Sequence, residues 1–321
     1  MKILGTGSYL PENILSNDDL SKLVDTSDEW IVSRTGIRNR HITKNENTSD
    51  LATKAARAAL ENAGISVENV ELIVVATTTS DSFVPGVSHK VLKNLQLSKA
   101  MAFDINAACT GFIYAMDVVT SLMQIRGFKY ALVIGAEVLS KIIDWNDRNT
   151  CVLFGDGAGA VLLENNRKEN QMMYVSCMAT PDVDNVLSAS GVTINNPLKR
   201  WSTQDNFYVQ MKGQDVFRFA VQVACESVRK ALTKTGVDAQ EIDYYVLHQA
   251  NSRILDYVVK KLRVPAEKFY STIETTGNTS AASIPIMLDD MNKKGLLKKE
   301  MKVVLASFGA GLTYGAMLIE W

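Results

Sequence analysis

The feature that most constrains this chain is that it contains itself twice. Shifting the 321-residue sequence by 172 positions lays ARAALENAGISVENVELIVVA (56–76) on VRKALTKTGVDAQEIDYYVLH (228–248). Arg57 then meets Arg229, Leu60 meets Leu232, Gly64 meets Gly236 and Val74 meets Val246. Each copy reads as an amphipathic helix, a glycine stop, a short loop and a buried strand. The same shift, without a gap, sets Asn106 on Asn278, Cys109 on Ala281 and Asp117 on Asp289. Further on, KYALVIG (129–135) lies on KVVLASF (302–308), and GAVLLE (159–164) matches GAMLIE (315–320) at an offset of 156. The first half therefore carries about 16 extra residues, assigned to the loop-like stretch Asp144–Asp156.

Two similar α/β halves follow, 1–168 and 169–321, joined through the polar run ENNRKENQ (165–172). Strands alternating with helices imply mainly parallel sheets covered by helices. Ligand chemistry in such folds lies beyond the carboxyl ends of the strands. A pseudo-twofold relation brings those ends from both halves towards one centre.

Composition removes several alternatives. With 34 Lys+Arg against 35 Asp+Glu there is no whole-chain electrostatic case for nucleic acid. A hydrophobic share of 46% excludes a disordered chain. Four cysteines, at 109, 151, 177 and 225, are too sparse for a disulfide scaffold. The start, MKILGTGSYLP, breaks at Gly5 and Gly7 and lacks a signal peptide's apolar core. The uncharged run Val303–Ile319 approaches the length of a membrane span. Ser307, Gly309, Gly311, Thr313 and Gly315 interrupt it, so it reads as two strands joined by a glycine turn. The expectation is a cytoplasmic protein that spans no membrane.

Residues that break the repeat are the candidates for chemistry, because the scaffold does not need them. Cys109 stands where the second copy has Ala281, His248 where the first has Ala76, and Asn278 follows Gly277 at the opening of a helix. Cys109 ends the apolar run AMAFDINAA and opens TGFIYAMDVVTSLMQ, placing a thiol at a helix N-terminus. Backbone N–H groups and the helix dipole there favour the thiolate. Cys151, Cys177 and Cys225 read as small buried apolar residues. His248 ends the strand IDYYVL, whereas His41 and His89 read as packing or surface residues. Asn278 in TTGNTSAAS suits a side-chain donor or a helix cap, and the residues alone leave both open. No His, Cys or acidic set has metal-ligand spacing, so no metal is expected. Neither SFGAGLTYG (307–315) nor FGDGAGA (154–160) has the strand–turn–helix context of a phosphate loop. A cysteine, a histidine and an amide at converging strand ends suggest acyl-thioester chemistry.

The chain resembles the β-ketoacyl-acyl-carrier-protein synthase III family along its whole length. The matching stretches are GTGSYLP, TSDEWIVSRTGIRNRHI, AACTGF, FGDGAGA, LHQAN, GNTSAASIP and FGAGLTYG, in order. The resemblance implies a thiolase-like fold and an acyltransferase that initiates fatty acid synthesis. It would condense an acyl-CoA primer with malonyl-acyl-carrier protein, with loss of carbon dioxide. It implies no cofactor, coenzyme A thioester being a substrate, and a homodimer.

Residue by residue, the resemblance implies a triad of Cys109, His248 and Asn278, with backbone N–H groups of Cys109 and Ala310 as the oxyanion hole. Trp30 and Arg148 would sandwich the adenine of coenzyme A, with Thr26 and Arg34 nearby. Gly213, Phe217 and Asn251 would line the pantetheine channel, and Phe83 would close the partner subunit's acyl pocket. Arg218, Arg253, Lys260 and Lys261 would dock the acidic carrier protein. Three positions depart from the family's usual residues: Ala310 stands for a glycine, Gln214 replaces another polar residue, and Tyr314 replaces a tryptophan. These leave primer preference open. Two alternatives are a related acyltransferase of secondary metabolism and a non-catalytic partner protein of the same fold.

Overall fold

The repeat becomes two sheets back to back around a shared helical layer. In the computed structural model, residues 1–166, 171–192, 194, 196–198 and 207–321 are described. The expected boundary at 168/169 falls among 167–170, outside the described residues.

Before residue 165 the strands are β1 (Lys2–Tyr9), β2 (Ile14–Ser16), β3 (Asn39–His41), β4 (Leu72–Ala76), β5 (Met101–Ile105), β6 (Tyr130–Glu137) and β7 (Gly157–Glu164). Five of them form a sheet in the order β1-β7-β6-β4-β5, and β2 pairs with β3. After residue 171 come β8 (Met172–Ala179), β9 (Leu187–Ser188), β10 (Gln210–Met211), β11 (Tyr244–Leu247), β12 (Lys302–Gly309) and β13 (Thr313–Glu320). The second sheet runs β11-β12-β13-β8, and β9 pairs with β10. The helices are α1 (Asn17–Leu20), α2 (Asp28–Thr35), α3 (Thr48–Ala63), α4 (Val87–Asn94), α5 (Gly111–Arg126) and α6 (Arg148–Cys151). They continue with α7 (Gly213–Thr235), α8 (Ser252–Leu262), α9 (Ile273–Thr276) and α10 (Ser283–Lys293).

Strand parity builds the layers, since alternate side chains face opposite sides of a sheet. Val74 of β4 and Val133 of β6 join Val246 of β11 and Leu305 of β12 in one core around α5 and α10. Ile73 and Ile134, on the opposite face, pack under α3 and α4. Tyr245 and Val304 do the same under α7 and α8. The result is helices, sheet, paired central helices, sheet, helices. Helices α3 and α7 stop at Gly64 (φ 65°) and Gly236 (φ 70°), left-handed positions that a glycine adopts without the Cβ penalty.

The structure alters two expectations. The sheets are mixed, not mainly parallel: β4 runs parallel to β5 and β6, and β11 to β12, but β6/β7, β12/β13, β1/β7 and β8/β13 are antiparallel. No helix of crossover length separates β6 from β7 or β12 from β13, and direct connections return the chain antiparallel. The match of KYALVIG to KVVLASF is also one residue out. Tyr130 faces Glu164 as Lys302 faces Glu320, so Lys302 corresponds to Tyr130 and not to Lys129.

Val303–Ile319 is the β12–β13 hairpin, as its glycines imply. Among the described residues, one helical stretch, Ala108–Arg126, is long and apolar enough to cross a bilayer. It lies in the central layer, where Phe112, Ile113, Met116, Val119 and Met123 are buried.

Candidate active site

The central helices begin at two equivalent turns. A 3-10 turn over Ala108–Thr110 leads into α5, and another over Ser280–Ala282 leads into α10, 172 residues later. Ala108 has φ 46° and Ser280 φ 49°, a left-handed conformation uncommon for residues other than glycine. Each turn is held by the asparagine two residues earlier. Asn106 Oδ1 accepts from the Ala108 amide at 3.3 Å, and Asn278 Oδ1 accepts from the Ser280 amide at 2.8 Å. Asn278 Oδ1 closes the turn but is not a helix cap, the 3-10 turn being preceded by Thr279; its Nδ2 has no partner among the described residues, and the residue lines the central cavity.

The first half clamps the second turn. Asn278 N donates to Leu153 O at 2.9 Å, and Gly155 N donates to Asn278 O at 3.0 Å. A Cβ on Gly155 would sit 2.4 Å from Thr276 O, so a glycine is needed there. Asp156 is anchored in turn by Ser140 and Thr43. The FGDGAGA stretch is thus a turn between the halves that leads into β7.

The last hairpin closes over the first turn. A Cβ on Gly309 would lie 2.8 Å from Cys109 N, Ser307 Oγ donates to Cys109 O at 2.7 Å, and Thr313 Oγ1 lies 3.1 Å from Ala107 O. Ala310, the departure from the family's glycine, does not have a positive φ, so the alanine fits without strain.

Cys109, His248, Asn278 and Ala310 line one cavity of about 1930 Å³. His248 directly follows β11, 1% exposed, with Nδ1 2.8 Å from Ser283 Oγ. The Ser283 hydroxyl donates to Ser280 O at 2.8 Å, so its lone pair is what it offers the imidazole. Hydrogen-bond accounting then assigns the proton to Nδ1 and leaves Nε2 as an acceptor. Burial pushes the imidazole down to about 3, so it is neutral at physiological pH.

Here the structure corrects the expected thiolate. Burial pushes the Cys109 thiol up to about 12, with the nearby Glu137 carboxylate adding to the effect. A helix terminus contributes about 0.3–2 kcal/mol and cannot offset desolvation of that size. Both the Cys109 thiol and the His248 imidazole are therefore neutral at rest. Glu137, at the end of β6, is fully buried, and burial raises it to about 7 against hydrogen bonds from Thr77, Thr78 and Thr79. Neither Glu137 nor Ser283 stands out in the sequence, because their importance comes only from packing.

The other expected residues divide. Trp30, Arg34, Gly213, Phe217, Asn251 and Phe83 line the same cavity, Phe83 being 84% exposed. Arg148 stacks directly on Trp30 at 4.8 Å, with Arg34 at 4.9 Å, and donates to Asp25 O at 2.8 Å. Trp30 and Arg148 are thus in direct contact with each other. Thr26 does not line the cavity, and its buried hydroxyl has no hydrogen-bond partner among the described residues. Asn251 caps α8 through Oδ1 and donates to Arg34 O at 3.0 Å, which fixes it in place. Arg218 and Arg253 reach the cavity mouth, whereas Lys260 and Lys261 lie further along α8. Gln214 lines the cavity, and Tyr314 packs edge-on to Phe219. Among the described residues no group of His, Cys, Asp and Glu could hold a metal ion.

With this geometry in place, the comparisons identify the lineage. Residues 103–181 match the family model for 3-oxoacyl-[acyl-carrier-protein] synthase III, and residues 232–321 match the model for its C-terminal part. The chain belongs to that family. It is 47% identical over its full length to the β-ketoacyl-[acyl-carrier-protein] synthase III of Clostridium acetobutylicum, covering 98% of that protein. The solved 3-oxoacyl-[acyl-carrier-protein] synthase III from Aquifex aeolicus superposes with TM-score 0.93 at 42% identity, over 100% of this chain and 99% of that one. The priming β-ketosynthase of the R1128 polyketide pathway gives TM-score 0.92 at 32% identity, over 99% of this chain and 95% of that one. The fold is thiolase-like and the chain is a condensing acyltransferase of the synthase III family.

Proposed function

We infer that this synthase III condenses an acyl-CoA primer with malonyl-acyl-carrier protein and so starts a fatty acid chain. The observation that carries the reading is the meeting of the Cys109 turn, the His248 strand end and the Asn278 turn in one cavity. In the first half-reaction Cys109 Sγ bonds to the acyl carbon while the bond from that carbon to the coenzyme A sulfur breaks. His248 Nε2 accepts the thiol proton and passes it to the departing thiolate. The Cys109 and Ala310 amides hold the tetrahedral oxyanion, an arrangement worth several kcal/mol per donor in comparable sites. In the second, malonyl-carrier protein loses carbon dioxide and Asn278 Nδ2 donates to the enolate oxygen. The enolate carbon then bonds to the acyl carbon of acyl-Cys109 while the bond from that carbon to Sγ breaks, and the released thiolate takes up one proton from solvent to restore the thiol.

Two copies of the chain form the working unit, with Phe83 of each reaching the other's acyl pocket. Coenzyme A lies along Trp30, Arg34 and Phe217, and Arg148 rises to cover its adenine. The likeness to a polyketide priming synthase supports a second reading, priming in secondary metabolism. Supplying several acyl-CoAs with malonyl-carrier protein and scoring products by mass tests both. A 3-oxoacyl-carrier product from a short primer supports initiation of fatty acid synthesis. Transfer without carbon dioxide loss, or no product from any primer, contradicts it.

A further inference from the structure

Arg40, on β3 opposite Leu15 of β2, is fully buried and takes no part in the steps above. Its guanidinium spreads over three neutral oxygens. Nη1 donates to Leu15 O at 3.0 Å, and Nη2 donates to Asn17 Oδ1 at 2.8 Å and to Val152 O at 2.9 Å. None of the three is a carboxylate, and Nε has no hydrogen-bond partner among the described residues. Taking a cation out of water without a counter-ion is costly, and a packed apolar side chain would cost less. What arginine adds is a rigid planar fork that holds several oxygens at fixed angles.

Those oxygens are not equivalent. Asn17 is secured without Arg40, because its Nδ2 donates to Asp28 Oδ1 at 2.8 Å and to Ile37 O at 2.7 Å. Val152 O accepts from Arg40 alone among the described residues. The residues that follow are the ones that hold Asn278. Leu153 O receives its amide, Phe154 bridges to it as a parallel β partner, and Gly155 N donates to its carbonyl. The stem of Arg40 reaches the same place. A Cβ on Gly155 or on Gly277 would lie 3.2 Å from Arg40 Cβ, so the side chain packs against both glycines that border this clamp.

We propose that Arg40 is a positioning residue for Asn278: its guanidinium fixes the 152–155 segment, and that segment sets where the Asn278 amide meets the forming enolate. The proposal rests on the reading above in which Asn278 Nδ2 acts in condensation. Arg40 does not line the cavity, so it acts through Asn278 and not on the reacting atoms. Burial lowers its guanidinium to about 10, which leaves it charged at physiological pH. Cys109 is held by a separate contact, from Ser307 Oγ, so acyl loading does not depend on Arg40.

The test is a double-mutant cycle. Acetyl loading of Cys109 and condensation with malonyl-carrier protein are measured for wild type, Arg40→Lys, Arg40→Met, Asn278→Ala and each Arg40 variant combined with Asn278→Ala. Condensation is expected to fall about tenfold in Arg40→Lys, which keeps the charge without the fork, and about a hundredfold in Arg40→Met, which keeps neither. Acetyl loading stays within about twofold, and neither substitution lowers condensation further once Asn278 is replaced. Lysine still offers the buried oxygens a donor, so it folds even where methionine does not, and thermal melts identify the folded variants. Wild-type condensation in a folded Arg40 variant overturns the proposal. Equal losses in loading and condensation, or the same loss with and without Asn278, overturn it as well, because they mark a general structural effect. Wild-type condensation by Asn278→Ala removes instead the reading on which the proposal rests.

Discussion

The turn at Asn106–Cys109 and the turn at Asn278–Ala281 have the same backbone and different chemistry. Both are closed by an asparagine side chain, both pass through a left-handed residue, and both launch a central helix. One ends in a thiol where the other ends in Ala281, and one has Ala108 where the other has a hydroxyl. The comparison teaches that the duplicated scaffold provides two equivalent places facing one cavity. Reactivity then comes from a few side chains that differ between them.

The largest way to break the comparison is to make the first turn like the second. Cys109→Ala should abolish acyl transfer, a loss above about a thousandfold of the kind seen for essential nucleophiles. Stability should change by less than about 1 kcal/mol, since Ala281 already fills this place in the sister turn. Transfer assays and thermal melts check both halves of that statement.

Next come the two asparagines. Asn278→Ala loses a turn-closing hydrogen bond and the free Nδ2 donor, whereas Asn106→Ala loses the turn-closing hydrogen bond alone. Both should cost about 1 kcal/mol in chemical denaturation. Only Asn278→Ala should lower condensation by about a hundredfold, the scale of one oxyanion donor. An equal hundredfold loss in Asn106→Ala would show that turn geometry, not the amide donor, controls the step.

A smaller effect separates the two sides of the cavity by pH. The folded-state value of Glu137 is raised from 4.5 to about 7 by burial. Its contribution to stability is therefore full below the unfolded value and is lost as pH rises through 7. Denaturation midpoints of the wild type should fall between mildly acidic and mildly alkaline pH, and Glu137→Gln should flatten that slope. Parallel slopes in the two proteins would mean that Glu137 does not titrate in this range. The smallest effect lies outside both turns. Arg253→Glu with Lys260→Glu should raise KM for malonyl-carrier protein several-fold, less so at high salt, and leave acyl-CoA loading unchanged. Equal changes for both substrates would count against a docking patch.

Much of the fold was legible because the repeat carries it: equal helix stops at Gly64 and Gly236, and hairpins whose glycines exclude a membrane helix. Strand direction was less so. The alternation of helices and strands hid the antiparallel returns at β6–β7 and β12–β13, and paired lysines pulled one alignment off by a residue. Cys109 and His248 stand out in the sequence as breaks in the repeat, whereas Asn278 is matched by Asn106 and stands out only by its place after Gly277 at the opening of a helix. Ser280 breaks it as well, opposite Ala108, but its left-handed backbone conformation exists only in the packed turn. The protonation states were not legible. The helix terminus suggested a thiolate, and desolvation, which depends on every neighbouring layer, reverses that.

The division of labour between the turns is tested most directly by the acyl occupancy of Cys109 in Asn278→Ala. The protein is given acetyl-CoA together with malonyl-carrier protein, then digested and mapped by mass at intervals. If the first turn accepts the acyl group and the second drives decarboxylation, acetyl-Cys109 accumulates in the variant while the wild type discharges it as product. Unmodified Cys109 in the variant, or an acetyl group on Cys151, Cys177 or Cys225 in its place, would contradict the account.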